Sequence, residues 1–228
     1  MIFPIGDDQV KGGHYPLFSY GFIALNVVIF FWAWMGGMER FEGIVNYLGA
    51  RPAETMMGER LWTILSSMFM HGSWGHLIGN MLFMWIFADN IEATIGSRKF
   101  VGFYLLGGLL AYLTHMFYNP ESFIPTVGAS GAIAAVMGGY LIMFPRSRVK
   151  MFFFFLIFRI PAWLFLGFWG LEQYSMGRAT LTQVDYQAMG VAYWAHIGGF
   201  VFGMIAGSRF KSQYLNQPDD YTAYEEVD

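Results

Sequence analysis

The 228-residue chain has no cysteine, which removes thiolate catalysis, cysteine-based metal sites and iron–sulfur clusters. Charge is scarce: 13% of residues are Asp, Glu, Lys or Arg, against about 25% in a soluble domain. That is too little to coat a water-facing globule. The net charge is −3 and no basic block occurs, so no nucleic-acid partner is expected. The sequence also lacks an internal repeat and a polar stretch long enough for a second, soluble domain. What it has is apolar: 56% hydrophobic residues and 20% aromatics, including 24 Phe and 8 Trp. This composition points to a polytopic membrane protein in contact with lipid.

A membrane-crossing helix takes about 20 mostly apolar residues. Six stretches qualify, at about 17–36, 76–95, 100–118, 128–144, 152–172 and 190–207, the fifth interrupted by Arg159 and Pro161. The first is too long and aromatic for a signal-peptide core and is expected to be retained. The expected fold class is therefore all-α, a six-helix membrane bundle over 17–208, after a short N-terminal segment 1–16. The segment 37–75 mixes apolar and charged residues and is expected to fold against the membrane. The acidic tail 209–228 is expected to lack regular structure.

Orientation follows from Lys and Arg in the short loops. With a cytoplasmic N-terminus the inner side holds Lys11, Arg98, Lys99, Arg146, Arg148, Lys150, Arg209 and Lys211, and the outer side only Arg40, Arg51, Arg60 and Arg178. Both termini are thus expected in the cytoplasm, with a bacterial inner membrane as the expected location. If Arg159 snorkels to the inner surface, Met151–Phe158 lies in the interface and the fifth span starts near Ile160. Asp89 and Glu92 are expected to pair with Arg98 or Lys99, or to cap a helix, at that surface.

Polar residues inside spans are expensive and mark function by default. His76 and Asn80 sit at i and i+4 on one face of the second span. Ser130 opens the fourth span and His196 lies in the sixth. Counted from the nearest inner basic residue at 1.5 Å per residue, Ser130 sits roughly 24 Å up, His196 roughly 20 Å and Asn80 roughly 27 Å. Ser130, Ala134 and Gly138 repeat every fourth residue, as do Gly199, Gly203 and Gly207. Such small faces let membrane helices approach closely, which would bring Ser130 to His196 as a nucleophile and its general base. The plainer readings stay open: a membrane serine often bonds its own helix, a histidine often only packs, and small faces often only pack. Ser66, Ser67, Ser73, His71 and His76 are candidates for a water-filled entrance. His115 reads as structural. A haem or metal carrier would have to use His71, His76, His115 and His196, with no cysteine or acid cluster beside them, so no metal or cofactor is expected.

The motifs His71-Gly-Ser-Trp-Gly-His76-Leu-Ile-Gly-Asn80, Glu92-Ala-Thr-Ile-Gly96, Gly128-Ala-Ser130-Gly131 and Ala195-His196-Ile-Gly-Gly199, followed by Gly203, resemble those of the rhomboid intramembrane serine proteases. The resemblance runs from about Trp62 to Gly203 and implies a six-span core whose partners are transmembrane protein substrates. It implies that Ser130 attacks the scissile carbonyl and that His196 moves the proton. Asn80, His76 and the Ser130 backbone N–H would stabilise the oxyanion, and Gly128 and Gly131 would allow close backbone approach. The active site would open to the outer face. No acid suited to orient His196 is evident, since Glu121, Glu172 and Asp185 fall in expected outer loops. Two positions depart from the family pattern. Ala134 stands where an aromatic ring usually stacks on the base, with Tyr193 or Trp194 as possible substitutes, and Trp62-Thr63 replaces a Trp-Arg pair, with Arg60 two residues before the tryptophan. A catalytically silent relative that binds or escorts membrane helices is the alternative.

Overall fold

A computed structural model describes residues 2–9, 13–182 and 191–215. Lys11, Asp185 and the tail 216–228, on which parts of the orientation, acid and tail expectations rest, lie outside the described residues.

The chain opens with a strand, β1 (Ile2–Gly6), and then a long helix, α1 (Leu17–Trp34). The segment 37–75 is largely helical, with α2 (Met38–Leu48), α3 (Pro52–Met56), α4 (Thr63–Ser66) and a 3-10 turn at Ser67–Phe69. Helices α5 (Trp74–Ile95), α6 (Ser97–Tyr118) and α7 (Ser130–Met143) follow. A hairpin of β2 (Arg148–Phe153) and β3 (Leu156–Pro161) leads into α8 (Ala162–Thr180), and α9 (Tyr193–Phe210) ends the bundle. By length and composition, two of the described helices, α1 and α6, are each able to cross a membrane.

The fold is mostly helical, as expected, and departs from the all-α expectation in one sheet. Strands β1, β2 and β3 form an antiparallel sheet in that order, with Phe3 opposite Phe152 and Lys150 opposite Arg159. The stretch 148–161 is rich in Val, Ile and Phe, which favour strands. Phe154 and Phe155 turn the hairpin with positive φ values of 49° and 149°. The fifth long helix therefore begins at Ala162, well after the expected 152 and close to the Ile160 start expected if Arg159 snorkels, because extended Pro161 ends the strand and N-caps the helix. The tail also starts later than expected, since Lys211–Leu215 continue α9 as a π-helical turn.

Local chemistry sets the helix ends. Ser73 caps α5, its hydroxyl accepting the His76 N–H at 3.2 Å. Gly96, at φ +82°, breaks the chain between α5 and α6. Of the two expectations for Glu92, the helix cap forms and the pairing with Arg98 or Lys99 does not. Glu92 is fully buried and accepts the Phe18 and Ser19 N–H groups at 2.9 and 2.6 Å and the Ser19 and Ser97 hydroxyls at 2.7 and 2.5 Å. A carboxylate suits the N-terminus of α1, where free N–H groups and the helix dipole favour negative charge.

The core is centred on α7, whose residues from Ala132 to Tyr140 are all buried. Helices α7 and α9 meet backbone to backbone. A Cβ on Gly199 would strike the Gly131 carbonyl, and one on Gly203 the Ala135 carbonyl. One on Gly207 would sit 2.9 Å from the Gly139 Cα. The α7 stripe in the seam is thus Gly131, Ala135 and Gly139, one residue on from the expected Ser130, Ala134 and Gly138, although Gly138 itself abuts the Phe200 carbonyl. The offset leaves the Ser130 side chain beside the seam and not inside it.

The segment 37–75 packs on the bundle through buried Phe41, Thr63, Met68 and Met70. Arg60 anchors it. Its guanidinium pairs with Glu54 at 3.0 Å, donates to the Tyr47 carbonyl and lies over the Tyr47 and Trp62 rings at 5.8 and 5.6 Å.

Candidate active site

Ser130 is the first residue of α7, so its hydroxyl sits where the helix has unpaired N–H groups and the positive end of its dipole. The approach is shaped by Gly128, whose φ of +124° few other residues adopt. Its N–H donates to the Ser67 carbonyl at 2.8 Å, tying the nucleophile loop to the 37–75 segment. A Cβ at Gly128 would lie 2.6 Å from His76 Nε2 and 3.5 Å from Asn80 Nδ2, so both polar groups stand over this loop. At Gly131 a Cβ would press on Ala111 of α6 at 2.7 Å.

His196 comes from the first turn of α9. Its Nε2 is 2.8 Å from Ser130 Oγ, and its Nδ1 is 2.7 Å from Gln173 Oε1. Rings also surround it: Trp169 lies tilted 35° at 5.9 Å between centroids, and Tyr193 edge-on at 6.5 Å. Of the two expected substitutes for a ring at Ala134, Tyr193 approaches the histidine. Trp194 instead stacks on Tyr118 at 3.6 Å. No motif or spacing in the sequence marks the other ring, Trp169, or the amide Gln173. They lie at i and i+4 on α8, on the face that also buries Ala162, Leu166 and Gly177.

Asn80 is buried, and its Nδ2 has no hydrogen-bond partner among the described residues. A buried unpaired donor is costly to keep and rare in native structures. His76 packs edge-on against His71, with ring centroids 5.1 Å apart. His71 itself is fully buried, and burial, then His76, pushes it down to about 3, so this loop histidine is neutral.

Ser130, His196, His76 and Asn80 all line one cavity of about 1150 Å³, closed on one side by the segment 119–128. Its volume is large enough to hold water beside the serine. Ser67 lines it as well. The other expected entrance residues serve the scaffold: Ser66 donates to the Leu48 carbonyl at 2.8 Å, Ser73 caps α5 and His71 is buried behind His76. His115 borders the cavity and meets Asn119 at 3.4 Å. Glu172 faces outward on α8.

A family model, Rhomboid domain, matches residues 58–212, which include every residue of this site. The chain belongs to the rhomboid family. It is therefore a membrane protein. Rhomboid protease GluP of Bacillus subtilis is 32% identical over 138 residues, covering 60% of this chain and 26% of that protein. Presenilin-associated rhomboid-like protein A, mitochondrial, of Danio rerio is 28% identical over 193 residues, 81% of this chain and 45% of its own. Rhomboid protein 1, mitochondrial, of Saccharomyces cerevisiae is 27% identical over 149 residues, 64% and 40% of the two chains. The chain thus spans less than half the length of these relatives. Of the three names, only the bacterial one contains the word protease.

Proposed function

We propose that this rhomboid protein is an intramembrane serine endopeptidase that hydrolyses peptide bonds in or near transmembrane segments of other proteins. The observation that carries the reading is the 2.8 Å approach of Ser130 Oγ to His196 Nε2 in the lining of a cavity able to hold water. In this reading Ser130 attacks the scissile carbonyl while His196 takes the hydroxyl proton. His196 then passes that proton to the leaving amine, so that the C-terminal fragment departs with a new amino end and the N-terminal fragment stays as an acyl-serine. Water, deprotonated by the same histidine, attacks the acyl carbon, releases the new carboxyl end and restores the hydroxyl. The tetrahedral oxyanion is met by Asn80 Nδ2, by His76 and by the N–H at the start of α7. Removing one such donor raises the barrier by about 3–4 kcal/mol.

We also propose that α1 and α5 to α9 all cross the bilayer, with both termini on the cytoplasmic side and the cavity facing the other. The outward-facing Val28, Ile78, Leu106, Phe168 and Ile205 support lipid contact on five of these helices. The relatives come from mitochondria and from a bacterium, so the bacterial inner membrane is one of two host membranes they support.

A fluorophosphonate probe tests the reading on purified protein. Labelling of the wild type at Ser130, lost in His196→Ala, supports a base-activated serine. Absence of labelling in folded protein would favour a silent relative that binds membrane helices without cutting them.

A further inference from the structure

We infer that Gln173 is a positioning residue for the base: its carboxamide oxygen fixes His196 in the tautomer that accepts the Ser130 proton. The inference rests on the serine-protease reading and extends it from two residues to three.

A carboxamide oxygen only accepts, so across the 2.7 Å contact His196 Nδ1 must be the donor. A neutral imidazole carries one proton. With that proton on Nδ1, the lone pair sits on Nε2 and faces Ser130 Oγ at 2.8 Å. The opposite tautomer would aim an N–H at the serine and could not take its proton. Gln173 thus does by hydrogen bonding what an acid does in a Ser-His-Asp arrangement, without placing an ion in the bundle.

Its placement is well supported. Gln173 is 8% exposed, and its neighbour one turn back, Trp169, covers the imidazole and also packs on Phe200 at 5.5 Å. At the next turn Gly177 keeps α8 close to α9: a Cβ there would lie 3.0 Å from Ile197 Cδ1 and 3.5 Å from the Tyr193 Cβ. Three successive turns of α8 therefore hold the first turn of α9, and the amide is the polar member of that face. An imidazole held in place by rings alone would remain free to exchange tautomers.

The test is Gln173→Leu in the full chain reconstituted in liposomes with a reporter transmembrane substrate, alongside Ser130→Ala. We expect kcat to fall about 100-fold, the scale of a misaligned catalytic group, with KM changed less than about twofold. Gln173→Glu, which keeps an acceptor oxygen, is expected to recover most of the lost rate. In 15N-histidine-labelled protein, the His196 ring signals should report the Nδ1–H form in the wild type and a mixture in the leucine variant. Gln173→Met gives the same comparison if the leucine variant does not fold. Unchanged kcat in a folded variant, or an unmoved tautomer ratio, overturns the inference. If Ser130→Ala still cleaves, the protease reading itself has failed. If Ser130→Ala is dead while Gln173→Leu is normal, only the role of Gln173 has failed.

Discussion

Asn80 keeps a buried amide nitrogen without a partner among the described residues, a cost the fold bears with no gain of its own. The proposed oxyanion supplies the missing acceptor. Asn80→Ala should then lower kcat about 100-fold while leaving thermal stability unchanged or slightly higher. A large stability loss with normal kcat per folded molecule would contradict this role. Ser130 and His196 were legible in the sequence because each is a polar residue in an apolar run, at matching depths counted from basic residues at the inner surface. Gln173 and Trp169 were not. A fifth span drawn over 152–172 leaves Gln173 just past its outer end. The helix instead runs Ala162–Thr180, close to the Ile160 start expected if Arg159 reaches the inner surface, and so holds the amide at the level of the histidine.

At the scale of elements, the α7–α9 seam fixes the distance between nucleophile and base. Gly203→Val would drive a branched side chain into the Ala135 carbonyl, and small-to-large changes of this kind cost about 1–3 kcal/mol or more. A clear drop in thermal midpoint is expected, with Ser130 labelling reduced in what remains folded. Gly21→Ala is the control: nothing lies within 4 Å of a Cβ there, so it should be neutral or mildly stabilising. Equal effects of the two would contradict the seam. The four-residue spacing of small residues revealed that the two helices touch. It did not reveal which α7 stripe enters the seam, since α7 is small or apolar nearly all round and offers adjacent stripes of similar size. The hairpin was hidden for a similar reason: a run of Phe, Ile and Leu satisfies a lipid-facing helix and a strand alike, and pairing with β1 decides between them.

Across the whole molecule, the N-terminal segment straps the end of the bundle remote from the serine. Beyond β1, Asp7 accepts Asn90 Nδ2 of α5 at 2.6 Å, Gln9 Nε2 at 2.8 Å and the Tyr140 hydroxyl of α7, and Asp8 accepts the Arg148 N–H of β2 at 3.0 Å. Burial raises the Asp7 carboxyl from 3.8 to about 7, against the Tyr140 hydrogen bond and with smaller help from the Asp89 and Asp8 carboxylates. The folded chain thus holds a proton at Asp7 that the unfolded chain has released between about pH 4 and 7. Stability from this group is full below that window and falls as pH rises through it. Asp7→Asn should flatten that slope and raise the thermal midpoint at pH 8. An unchanged pH profile would mean that Asp7 is charged in the strap.

The central claim is that Ser130 and His196 form a working hydrolytic pair. Its most direct test is cleavage of a reporter transmembrane substrate in liposomes by wild type, Ser130→Ala and His196→Ala, with the new termini identified by mass spectrometry. The account predicts cleavage within or beside the substrate span by the wild type and none by either variant. Equal cleavage by all three, or none by folded wild type on any transmembrane substrate supplied, would contradict it.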